Sequence, residues 1–141
     1  MILDNECLRD VLLYIENSDY YILTADNCLE ASPIYLSTRC INLPKSNKAE
    51  IYYSLLNLSQ AGFINLSTHN TSNNLDCAVN SITYSGHEFL NAIKDTANWN
   101  KIKIVLSSIR NYSLEAIKAV SSGITSATIE TCLNTIISKN V

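Results

Sequence analysis

The chain has 141 residues, 47% of them apolar and only 16% charged, enough apolar mass for one compact core and too much for wholesale disorder. A formal net charge of −3 with a pI near 5.3 removes the basic excess usual in a protein that works mainly on nucleic acid, and leaves only a local basic patch open to it. No stretch reaches the roughly 18 apolar residues of a membrane span, the Met1–Glu6 start lacks the segments of a secretory signal, and the five cysteines form no C-x-x-C pair, so a reducing cytoplasm is expected.

Leu8, Val11, Leu12 and Ile15 fall at i, i+3, i+4 and i+7, which predicts a first helix capped by Asp4 or Asn5 and ended by Asn17-Ser18-Asp19. Tyr20–Thr24 has β character and predicts a short strand. Ala25–Pro44 reads two ways: Pro33 permits a helix from near Ser32, whereas Thr38–Leu43 suits an extended segment equally well.

The spacing of Asn47 and Glu50 is that of a capping box, and Ile51, Leu55 and Leu58 then share one face of a helix over Asn47–Ala61, with Tyr52 at its margin. Gly62 supplies the left-handed stop. Phe63–Leu66 alternates as a half-buried strand, Ser67–Asn74 is a wholly polar tip without lysine or arginine, and Ser81–Tyr84 returns as the second strand. Thr83 suits the cap of a further helix carrying Phe89, Leu90 and Ile93, with Gly86 allowing close backbone approach. Beyond the candidate joint Asp95–Asn98, Ile102, Val105, Leu106 and Ile109 mark another helix, Ser113 caps a short one, and Ile129–Ile137 marks a last, broadly apolar one.

Two passages carry a family resemblance. Ile82-Thr83-Tyr84-Ser85-Gly86-His87-Glu88-Phe89-Leu90-Asn91-Ala92-Ile93, followed by Trp99-Asn100-Lys101, resembles the bacterial and phage family called domain of unknown function 2513. Leu58-Ser59-Gln60-Ala61-Gly62-Phe63-Ile64 is similar to the ending of that family's central helix, and Leu8–Glu16 to its first helix. The family often has a histidine where this chain has Tyr53. The resemblance implies a winged-helix-like fold in a phage or mobile-element setting, and no activity.

The expected fold is therefore α+β and mostly α: a winged helix-turn-helix with a two- or three-stranded wing over 1–95, and extra C-terminal helices over 96–141 that pack on it or form a homodimer seam. In such a fold the central helix would offer Tyr53, Asn57 and Gln60 to a partner, with Lys45 and Lys48 flanking its start. Lys101 and Lys103, with Lys94 and Arg110, make the densest basic run. Duplex DNA is one expected partner, and a host or antiviral defence protein is the other; a solvated helix surface is the bland alternative.

No catalytic or cofactor-binding set is expected. The three glycines cannot make a phosphate-cradling loop, and no nucleophile or paired-carboxylate constellation is present. His87-Glu88 lacks the second histidine that a zinc site needs, and His69, Asp76 and Cys77 make a poor ligand set. The cysteines are expected to be small buried hydrophobes.

Overall fold

Asp4 starts the first helix: its Oδ1 accepts from the amides of Glu6 at 2.9 Å and Cys7 at 3.2 Å, two donors the helix cannot satisfy itself. The structure, a computed structural model, describes residues 2–18, 21–23, 25–31 and 36–123. These fall into two compact units, Met1–Gly86 and a second that begins at His87. The fold is α+β and mostly helical.

In the first unit, α1 (Asn5–Glu16) buries the predicted stripe of Leu8, Val11, Leu12 and Ile15 together with Cys7. The short strand β1 (Tyr21–Leu23) forms where β character was read, but it pairs only with β2 (Leu29–Ala31) in a separate hairpin turned by Asn27 at φ 60°. A third strand, β3 (Leu36–Ser37), is what joins the main sheet.

In the ambiguous segment, residues 32–35, where a helix would start, lie outside the described residues, and Leu36–Ser37 beyond them is strand. Residues 38–46 form successive turns, with the Cys40 and Ile41 amides both donating to the Ser37 carbonyl and Ser46 donating to Leu43. No helix lies between α1 and residue 48 among the described residues. Pro44 disfavours helix at Leu43, and the sheet draws Ser37 and its neighbours into pairing with the next hairpin.

The central helix α2 (Lys48–Gln60) is capped by Asn47, whose side chain accepts from the Glu50 amide at 2.8 Å. It buries Ile51, Ser54, Leu55 and Leu58. Gly62 ends it at φ 80°: its amide donates to Ser59 and that of Phe63 to Leu58, the paired bonds of a left-handed C-terminal stop. Then β4 (Ile64–Thr68) and β5 (Cys77–Ile82) run antiparallel, bulged at Asn65/Leu66, in the order β3-β5-β4. α1 packs on α2 and α2 on β4, which closes a core of α1 and α2 side chains over Phe63, Ile64, Cys77 and Val79. Each fully buried aliphatic or aromatic side chain contributes about 1.5–3 kcal/mol of transfer free energy.

The helix α3 (Tyr84–Lys94) begins in the first unit and continues into the second. Thr83 caps it as expected, its hydroxyl accepting from the Gly86 amide at 3.0 Å. In the second unit α4 (Thr96–Ile109), capped by Asp95, packs on α5 (Leu114–Gly123), capped by Ser113. Trp99, Ile102, Leu106 and Ile117 are buried. The division between units falls within the first turn of α3, and Asp95, at the candidate joint, separates α3 from α4. The expected last helix, with its candidate dimer seam, lies outside the described residues.

Candidate interaction surface

Each residue singled out from the sequence has a place. Gln60, at the C-terminal end of α2, is exposed, and Tyr53 is half-buried on the side of α2 away from the core. Asn57 is half-buried too, but its side-chain amide donates back to the Tyr53 carbonyl one turn earlier at 2.8 Å. That bond takes one of the two amide hydrogens and holds the side chain against its own helix.

Lys48 requires a correction. Its ammonium donates to the carbonyls of Ile41 at 2.5 Å, Arg39 at 3.2 Å and Thr38 at 3.3 Å. The turns over 38–46 leave those carbonyls without helical partners, and the first side chain of α2 reaches back to satisfy them. The ammonium is thus committed to holding this segment, not to a phosphate.

Lys45 is exposed and lies close enough to Asp10 to lower its pKa, as does Arg9. Burial nevertheless dominates, and with the neighbouring Glu6 and Asp4 carboxylates it lifts the Asp10 carboxyl above its usual range. Arg39 faces Asp76 at 3.7 Å. The Asp76 carboxylate also accepts from the Ser37 hydroxyl at 2.8 Å and the Cys77 amide at 2.9 Å. Burial pushes its pKa up, but these bonds, with Arg39 and Thr38, outweigh burial and hold it below the ordinary value.

Lys101 and Lys103 are half-buried on α4 in the second unit, each engaged in an interaction of its own. His69 is exposed at the hairpin tip, and Cys77 is buried with its sulfur 2.9 Å from the Thr38 hydroxyl. Burial first of all, with Asp76 adding to it, pushes the Cys77 thiol up, against the hydrogen bond from Thr38. Cys7 is buried as expected, whereas Cys28 and Cys40 are exposed, because they fall in turns that contribute no core face.

Two features were not read in advance. Leu75, at the base of the hairpin tip, is 67% exposed, and the Tyr52 hydroxyl reaches from α2 to Asn70 Oδ1 at 3.4 Å. The signal for the first was present: Leu75 is the one apolar residue between Leu66 and Cys77. The second needed the helix and the tip to be brought side by side.

Charge is partitioned along the chain. Residues 1–86 hold four lysines and arginines against nine carboxylates, and from Ala49 to Ile93 there is no lysine or arginine at all. That gap spans almost all of α2, both strands of the hairpin and nearly all of α3.

The pattern of the family described as Hypothetical protein (DUF2513) matches residues 2–113. The chain belongs to this family. The DUF2513 match takes in the first unit from residue 2 together with α3 and α4, and stops at the cap of α5. No curated protein and no solved structure matches the chain. No helix among the described residues of this DUF2513 member is long and apolar enough to cross a membrane.

Proposed function

We propose that this DUF2513 protein is a non-enzymatic module of winged-helix type that docks on another protein. The winged-helix reading is supported by the order α1, β3, α2, β4, β5 and by sheet order β3-β5-β4, with α2 in the position of a recognition helix and β4–β5 as the wing. The turns over 38–46 stand where such a fold has its second helix.

A protein partner is preferred to duplex DNA on one observation: the uninterrupted absence of lysine and arginine from Ala49 to Ile93. Affinity for DNA rests largely on neutralised phosphates, and side-chain amides cannot replace that contribution. Of the flanking cations of the first unit, Lys48 is bonded to carbonyls and the exposed Arg39 faces Asp76, while Lys45 and Arg9 sit near Asp10. Tyrosine, asparagine and serine on an uncharged face instead suit protein recognition, where rigid aromatic area and adaptable polar groups work together. The resemblance to phage and bacterial proteins makes a bacterial host or defence protein in the cytoplasm the partner class of this reading.

A gel-shift titration with random and genomic duplex at low salt tests it. No shift is expected. Binding that falls steeply with salt and is lost in a Tyr53→Ala/Gln60→Ala double variant would replace the protein-docking reading with a DNA-binding regulator.

A further inference from the structure

The two edges of the main sheet differ. The β3 edge is two residues long and is followed closely by the exposed Arg39, both of which make an edge a poor template for another strand. The β4 edge has neither protection: Ile64-Asn65-Leu66-Ser67-Thr68 is five residues without charge or proline. Among the described residues β4 pairs with β5 alone. The bulge lies in its neighbour, because Asn65 and Leu66 face Ser81 and Val79 and leave Asn80 of β5 over. β4 itself runs regular.

The two ends of the hairpin fix which backbone groups point outward. The Thr83 amide donates to the Phe63 carbonyl at 3.0 Å, and the His69 amide to the Asp76 carbonyl at 2.8 Å. Phe63 and His69 therefore turn their backbone groups to β5, as Asn65 and Ser67 do between them by alternation. Ile64, Leu66 and Thr68 turn theirs to the open edge. On one face, an amide–hydroxyl ladder ties the strand to β5: Asn65 Nδ2 donates to Ser81 Oγ and Asn80 Nδ2 to Ser67 Oγ, each at 2.8 Å.

We propose that the β4 edge pairs antiparallel with β4 of a second copy, about a twofold axis at Leu66. In that register Leu66 exchanges both backbone hydrogen bonds with its counterpart, and Ile64 does so with Thr68 across the axis. Asn65 comes opposite Ser67, repeating the amide–hydroxyl pairing that β4 already makes with β5. On the other face the half-buried Leu66 side chain meets its own copy. This match is a property of the strand's own sequence, and it favours a second copy over a strand of another protein. Charge does not oppose it. The first unit carries nine carboxylates against four lysines and arginines, yet Ile51–Leu75 holds none of either, so the paired strands bring no like charges together. The pairing stands independently of the docking reading above.

Sedimentation velocity of the full chain from about 1 to 300 μM tests it. A monomer–dimer equilibrium with a Kd of roughly 10–100 μM is expected, a short strand pair lying at the weak end of interfaces. Amide exchange at Leu66 and Thr68 should slow severalfold as concentration rises, while that of Ser67, directed to β5, stays unchanged. Leu66→Pro removes the central outward N–H and no bond to β5, and should weaken association about tenfold or more. Thr68→Lys, at an exposed site, should weaken it severalfold and melt as the parent does. A chain that stays monomeric throughout the range overturns the proposal. So does a dimer that ignores Thr68→Lys and leaves the Leu66 amide exchange unslowed, which would place self-association on another surface. A monomer whose Leu66 amide slows only with an added uncharged β-strand peptide would give the edge to a different protein, and also overturns it.

Discussion

The hydroxyl of Thr83 donates to the Gly62 carbonyl at 2.6 Å while accepting from the Gly86 amide at 3.0 Å. One side chain thus joins the stop of α2 to the start of α3, and the Thr83 amide adds a bond to the Phe63 carbonyl at 3.0 Å. The same junction forbids bulk at Gly86: a Cβ there would lie 1.9 Å from the Phe63 oxygen, a backbone atom that cannot step aside. Thr83→Ala should cost about 1 kcal/mol, the usual loss of a helix cap. Gly86→Ala should cost about 3 kcal/mol, at the upper end for overpacking. Urea denaturation with unchanged m-values would check both, and a neutral Gly86→Ala would contradict the close approach.

Lys48 should prove a structural cation. Lys48→Met keeps most of the stem but leaves the Thr38, Arg39 and Ile41 carbonyls to water, and is expected to destabilise by about 1 kcal/mol. Amide exchange should quicken across Thr38–Ser46 while the α1 amides stay protected. An unchanged exchange pattern would refute the tether.

Asp76 and Asp10 act on acid stability with opposite signs. The folded pKa of Asp76 is lowered, so its contribution is fully present above the ordinary carboxylate value and is lost as pH falls through the lowered one. The pKa of Asp10 is raised, so its charged form costs stability at neutral pH, and that cost is relieved as pH falls through the raised value. Asp76→Asn should therefore flatten the loss of melting temperature at the acid end. Asp10→Asn should raise the melting temperature at pH 7 and leave little difference below the ordinary value. The reverse assignment of the two slopes would overturn this account.

Arg110 ends α4 in the left-handed region at φ 55°, with its amide on Ser107 and that of Asn111 on Leu106. A side chain with a Cβ is strained there and glycine is not. Arg110→Gly is expected to stabilise by roughly 0.5–1 kcal/mol, whereas Arg110→Val should destabilise. Thermal melts of the two variants would decide it.

Local chemistry was legible in the sequence because each signal acts within one or two turns of its own residues. The Asp4, Asn47, Thr83 and Ser113 caps, the Gly62 stop and the apolar stripes of α1 and α2 lie where spacing and side-chain type put them, as do Ile102, Val105 and Leu106 of α4, whereas Ile109, read into the same stripe, is exposed at the end of its helix. So does the family membership, carried by contiguous motifs. The tertiary structure decided what depends on partners far along the chain. Leu36–Ser37 becomes a strand only because Ala78 and Val79 of β5 lie beside it and Asp76 takes the Ser37 hydroxyl. Lys48, which spacing offered to a phosphate, is drawn to carbonyls that no helix satisfies. Two paired residues and one ammonium leave no periodicity to read; their conformations are set by hydrogen bonds that exist only once the chain has folded around them.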